Sequence, residues 1–123
     1  MKPKEYIKKA LRTESKDYCF KATGKLTPRI EHAIFGIATE SGELVNIIKH
    51  CKIYRKDLDV TNLVEEMGDL MWYLALLSDD IRVSFEEVWE KNIKKLEARY
   101  PQGYSHDSAL GRNLKKERKI LEK

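Results

Sequence analysis

Two apolar stripes confine this chain to a helical fold. Ile30, Ile34, Ile37, Ser41, Leu44, Ile48 and Cys51 succeed one another in steps of four and three, as do Leu63, Met67, Leu70, Leu74, Leu77 and Ile81. That spacing keeps one side of a helix apolar. No segment alternates with period two, and 3 prolines and 6 glycines in 123 residues are too few for a turn-rich β-sandwich. The fold expected is all-α, a four-helix bundle in a single domain over residues 1–123, with a helical core over about 4–100 and a basic tail over 101–123.

The punctuation of the chain places the helices. The first spans about Lys4 to Phe20. The second opens where Thr27 can cap and Pro28 fits the first helical position, and runs to about Tyr54. After a loop at Lys56–Asp59, the third spans about Thr61 to Ser78. Ser84 and Glu87 form a capping box for the fourth, which ends near Tyr100 ahead of Pro101. A short basic helix from Asn113 falls in the tail. Phe35, Ala38 and Val45 lie off the first stripe, and Trp72 and Ala75 off the second. A second apolar face needs a second partner, so the chain is expected to form a homo-oligomer.

Charge and cysteine content narrow the function. Residues 1–29 carry a net +6, residues 30–110 a net −6 and residues 111–123 a net +4. Basic ends are an ordinary solvated feature, and nucleic acid is not the expected partner. The longest apolar run, Leu70 to Leu77, falls far short of the roughly 20 residues of a membrane span. Cys19 and Cys51 do not form a Cys-x-x-Cys pair and are expected to be reduced thiols of a cytoplasmic protein. No Gly-x-x-x-x-Gly-Lys-Ser/Thr loop is present, which excludes a P-loop nucleotide site.

The chemistry is expected where the pattern is costly. Glu40 and Glu43 on the second helix, and Glu66 and Asp69 on the third, are each spaced i, i+3 and project from one side of their helix. At about 100° per residue, Glu40 lies roughly 60° from Ile37 and Glu66 roughly 40° from Leu70, in the same rotational sense. Four carboxylates thus line the same edge of two neighbouring stripes. Such a cluster repels itself and raises its own pKa values unless a cation resolves the conflict. Oxygen donors without His or Cys suit Mg²⁺, with Mn²⁺ as a possible substitute. A di-iron bundle would need Glu-x-x-His pairs, which these are not. Gly42 and Gly68 sit inside the two pairs, each costing up to about 1 kcal/mol of helix propensity. They imply a close backbone approach or a ligand. Tyr73 lies one turn beyond Asp69. Lys49, Lys52, Arg55 and Lys56 follow the first pair, and Asn92 and Lys95 form another i, i+3 pair. All can meet phosphate. His32, His50 and His106 show no ligand spacing and are assigned no role.

These residues resemble a known family. Glu40-Ser-Gly-Glu43 followed by Glu66-Met-Gly-Asp69 is similar to the double motif of MazG-like nucleotide pyrophosphohydrolases, in the all-α NTP pyrophosphatase superfamily. The flanks Thr39 to Leu44, Lys49-His50, Glu65 to Leu74, Asn92-Ile-Lys-Lys95-Leu96 and Arg99-Tyr100-Pro101 extend the likeness from about Ile30 to Arg112. The resemblance implies Mg²⁺-dependent hydrolysis of a nucleoside triphosphate, a deoxynucleotide in first place, to monophosphate and pyrophosphate. It implies Glu40, Glu43, Glu66 and Asp69 as metal-binding and catalytic residues. Lys49, Tyr73, Asn92, Lys95 and Arg112 would contact the substrate, with Arg112 closing over the phosphates. It also implies a homodimer or homotetramer. Two alternatives are a more specialised substrate, such as dCTP or phosphoribosyl-ATP, and a non-catalytic helical module that binds nucleic acid or protein.

Overall fold

The computed structural model describes residues 1–123. It is all-α, with helices α1 (Pro3–Ala10), α2 (Pro28–Lys52), α3 (Val60–Ile81), α4 (Phe85–Arg99), α5 (His106–Leu110) and α6 (Leu114–Glu122), and a 3₁₀ turn at Leu11–Thr13. The helices fall into two compact units, Met1–Arg82 and Val83–Lys123.

Thr27 and Ser84 cap their helices as the sequence implies, and Asp59, expected in the loop, and Asn113 cap two more. Side chains of Thr27, Asp59, Ser84 and Asn113 accept the N–H groups of Ile30, Asn62, Glu87 and Lys116, satisfying donors that a helix start leaves open. The third helix begins one residue early because Asp59 caps it. It runs to Ile81 and stops where Arg82 turns left-handed at φ 56°. Helix α5, capped by Ser105, is a further short element in the tail.

The first helix departs from expectation. It ends at Ala10 rather than near Phe20. The Thr13 hydroxyl bonds the Ala10 carbonyl and Ser15 folds onto Asp17, which are side-chain alternatives to the helical ladder. Glu14 turns away to Arg29, which also reaches Asp79 and Asp80 at the end of α3, at 2.7–3.3 Å. Trp72 donates its indole N–H to the Ala10 carbonyl and to Thr13, both at 2.9 Å. The segment after α1 is thereby tied to α2 and α3. Trp72 is half-buried and Ala75 fully buried, so neither belongs to an open second face.

The seam between α2 and α3 is also rotated from the expected one. Ala33, Gly36 and Ile47 of α2 and Ala75, Leu76 and Ser78 of α3 are the buried positions. Ile34, Ile48, Met67, Leu74 and Ile81, counted from the sequence as core, are 41–59% exposed. Ile30, Ile37, Leu44, Leu63, Leu70 and Leu77 of the expected stripes are half-buried, while the members between them turn outward with Phe35 and Val45, which are 62% and 67% exposed.

Gly36 sets the spacing. A Cβ there would lie 2.1 Å from the ring of Tyr73. No side chain or other segment beyond the chain neighbours comes within 4 Å of a Cβ built on Gly42 or Gly68, so neither glycine serves close packing within the chain. In the second unit, Glu117 is buried and receives both Arg99 (2.6 Å) and Arg112 (2.8 Å). The two guanidinium groups hold its carboxyl down at about 2.

Gly36→Ala is expected to lower the melting temperature by several degrees. Overpacking costs about 1–3 kcal/mol, which exceeds the ~1 kcal/mol gained in helix propensity. In a Tyr73→Ala background the same substitution should become stabilising. Thermal melts of the four proteins in this cycle check the contact, and destabilisation in both backgrounds would contradict it.

Candidate functional site

The acids of α2 and α3 meet across the helix pair. Each of Glu40, Glu66 and Asp69 places a carboxylate oxygen within 4.8 Å of the others. Glu40 and Glu66 are half-buried and Asp69 is exposed. The acids expected at the edge of two stripes therefore converge across the two helices and stay partly open to solvent. Glu43, one turn further along α2, is exposed and lies outside the converging trio. It still acts on the site. Desolvation raises the Glu66 pKa first, and the negative charges of Glu40, Glu43, Asp69 and Glu65 raise it further.

Phenols flank the acids. Desolvation and the charges of Glu40 and Asp69 raise the Tyr73 pKa, and desolvation and Asp69 raise that of Tyr6 on α1. Tyr73 therefore keeps its proton at neutral pH and presents a donor. The donor set of the trio is all carboxylate oxygen. This is a hard set, suited to Mg²⁺ or Mn²⁺ and poorly suited to softer metals.

A cavity of about 330 Å³ opens beside the trio, lined by Thr13, His32, Glu40, Asp69, Trp72 and Tyr73. Its floor is aromatic. Edge-to-face contacts join His32 to Tyr73 (5.5 Å) and to Trp72 (6.2 Å), and Trp72 to Tyr73 (5.1 Å). Thr13 and His32 carry no signal in the sequence, because the first lies in a segment expected to be plain helix and the second has no ligand spacing. The Gly36–Tyr73 contact was equally hidden. A glycine one turn before Glu40 and a tyrosine one turn after Asp69 were its only trace.

The remaining expected residues sit elsewhere. Lys49 is on α2, roughly 13 Å along the helix from Glu40 at about 1.5 Å per residue, with its ammonium 6.0 Å from the centre of the Tyr54 ring. Asn92 and Lys95 lie on α4 of the second unit. Arg112 is also in that unit, where Glu117 holds it. Cys19 and Cys51 are free thiols.

In an all-α chain, carboxylates from two helices thus converge beside an aromatic cavity. The MazG nucleotide pyrophosphohydrolase domain model matches residues 28–104, and the chain belongs to that family. The match takes in the acid trio, Glu43, Lys49, Tyr73, Asn92 and Lys95. It leaves out Arg112 and the whole N-terminal segment that contributes Thr13. The chain is also similar to the Gene 37 protein of Mycobacterium phage L5, 34% identical over 89 residues, covering 68% of this chain and 76% of that protein. No solved structure matches.

Folding raises the Glu66 pKa, so the folded chain holds that proton more tightly than the unfolded chain. Its effect on stability is therefore unfavourable above the raised value and fades as pH falls through it. Glu66→Gln should raise the melting temperature of the metal-free protein at pH 7. Mg²⁺ should stabilise the wild type, by about 2.7 kcal/mol at a hundred times its Kd, and should stabilise the variant far less. Melts with and without Mg²⁺ or Mn²⁺ test this, and a wild type indifferent to both ions would refute a metal site.

Proposed function

We propose that this protein hydrolyses a nucleoside triphosphate, a deoxynucleotide in first place, to the monophosphate and pyrophosphate, with Mg²⁺ held by Glu40, Glu43, Glu66 and Asp69. The convergence of Glu40, Glu66 and Asp69 within 4.8 Å carries this reading. Three carboxylates from two helices repel one another, and a divalent cation is the partner that turns that repulsion into attraction. The aromatic cavity alongside suits the organic half of the substrate, and family membership supports the reaction class.

When bound, Mg²⁺ neutralises phosphate oxygens and makes water a better nucleophile. The chain supplies the rest. A carboxylate of the set takes a proton from the attacking water. The Tyr73 hydroxyl, its pKa raised by burial and then by Glu40 and Asp69, donates to a phosphate oxygen. Lys49, Asn92, Lys95 and Arg112 are proposed to bear against the leaving pyrophosphate, where negative charge accumulates. Residues 1–123 are proposed to act as one domain. No helix is long and apolar enough to cross a membrane, and with two free thiols we infer a cytoplasmic enzyme.

The outward stripe supports a homodimer or homotetramer. Ile34, Phe35, Val45, Ile48, Met67 and Leu74 expose 41–67% of their surface, large apolar side chains that a second copy would cover. Sedimentation at micromolar concentration should show at least a dimer, and Phe35→Glu should weaken it. A wild type that sediments as a clean monomer would remove the oligomer.

The activity is tested by incubating the protein with a panel of nucleotides and Mg²⁺. Pyrophosphate and monophosphate should appear in equal amounts. Glu43→Gln should keep the helical circular dichroism and lose at least about a hundredfold in kcat, the lower range of acid–base contributions. Release of inorganic phosphate alone, or no turnover of any nucleotide, overturns the proposal.

A further inference from the structure

The cavity contains a histidine whose tautomer is fixed by a chain of hydrogen bonds. Arg29 grips both oxygens of Glu14, at 2.7 and 2.9 Å. Glu14 is therefore ionised and can only accept, and the bonds from Arg29 hold its pKa below the usual range. Tyr18 donates its hydroxyl proton to Glu14 at 2.8 Å. With that proton committed, the Tyr18 oxygen faces His32 Nδ1, 3.4 Å away, as an acceptor, and Nδ1 must carry the hydrogen. The neutral ring then keeps its lone pair on Nε2.

Nε2 has no protein partner. No buried side-chain nitrogen or oxygen in the molecule lacks a hydrogen bond, so Nε2 is open to solvent, on a residue that lines the cavity. The other polar groups there are largely committed. The Trp72 N–H goes to Ala10 and Thr13, and the Thr13 hydroxyl donates to Ala10. Glu40 and Asp69 belong to the acid trio. At about 330 Å³ the cavity is at the small end of ligand sites. It has room for one planar ring system against Trp72 and Tyr73, with the phosphates left at the acids.

Resting on the activity proposed above, we propose that His32 is a specificity residue, its Nε2 accepting an N–H from a nucleobase seated in this cavity. Tyr18 and Glu14 are positioning residues that keep Nε2 bare. The ligand is then a base with an exocyclic amine or an imide N–H on the edge presented to His32. A polar site left unpaired rejects an analogue lacking the matching group far more strongly than an apolar pocket does.

The test uses triphosphates paired to differ in that donor alone: cytosine against pyrimidin-2-one, adenine against unsubstituted purine, and thymine against N3-methylthymine. For the base turned over best, the wild type should favour the donor-bearing member at least tenfold in kcat/KM, chiefly through KM. His32→Phe keeps an aromatic ring and removes both nitrogens. It should shrink the preference to within about twofold while retaining Mg²⁺-induced thermal stabilisation. Tyr18→Phe leaves the imidazole in place and frees its tautomer, and should give an intermediate preference. A wild type that hydrolyses nucleotides without discriminating any pair, or variants that keep the wild-type ratio, would overturn the role of His32 and leave the activity standing. If nothing is hydrolysed, the activity fails instead. The same pairs, titrated calorimetrically as monophosphates, then decide the base site, and equal or absent binding of both members overturns it.

Discussion

The close approach of Tyr73 to Gly36 governs the arrangement of the first unit. A helix pair with side chains at every contact position stands 8–10 Å apart. Here α2 offers bare backbone and α3 fills it with an aromatic ring. The approach lies one turn from Glu40 on α2 and one turn from Asp69 on α3. It therefore fixes the distance across which the acids face each other. The same ring forms one wall of the cavity, so a single packing contact positions both the carboxylates and the surface beside them.

The N-terminal segment makes the second indispensable set of contacts. Arg29 gathers Glu14, Asp79 and Asp80 at one end of the helix pair, with Thr27 adding its hydroxyl to Asp80. Several partners around one guanidinium fix geometry better than an isolated surface pair does, because the planar fork constrains each of them. Its consequences reach the cavity through Tyr18, whose pKa burial and Glu14 push up to about 12. The segment before residue 28 lies outside the family match, yet it supplies Thr13, Glu14 and Tyr18. The acid trio thus lies within the family match, while the segment before it adds Thr13 to the cavity lining.

Helix identity was legible in the sequence because caps are local. Thr27, Asp59, Ser84 and Asn113 each act within three residues. The motif acids were legible because i, i+3 spacing survives any helix packing. The phase of the seam was not. Counting apolar residues assigns the core to Ile34, Ile48, Met67 and Leu74. The buried side instead takes Ala33, Gly36, Ile47 and Leu76, with Glu40, Glu66 and Tyr73 half-buried beside them. The expected stripe and the buried face share Ile30, Ile37, Leu44, Leu63, Leu70 and Leu77 and part at the members between. The end of α1 at Ala10 was hidden for a related reason, since Thr13 and Glu14 act through partners 59 and 15 residues away.

The shift of the seam has a chemical consequence. The carboxylates that it brings together cannot be sealed under leucine, because burying charged groups in apolar surroundings without partners costs several kcal/mol. Glu40 and Glu66 stay half-buried and Asp69 exposed, at the expense of hydrophobic stabilisation within the unit. Only Leu76 among the large side chains is completely buried, which leaves the chain short of core for its size. The apolar stripe turned outward is the compensating resource, since its burial against another copy would restore the stabilisation that the polar seam forgoes. Burial of that stripe against another copy would thus answer the same constraint that keeps the seam polar. A variant that made the seam apolar would gain stability as a single chain while losing the site.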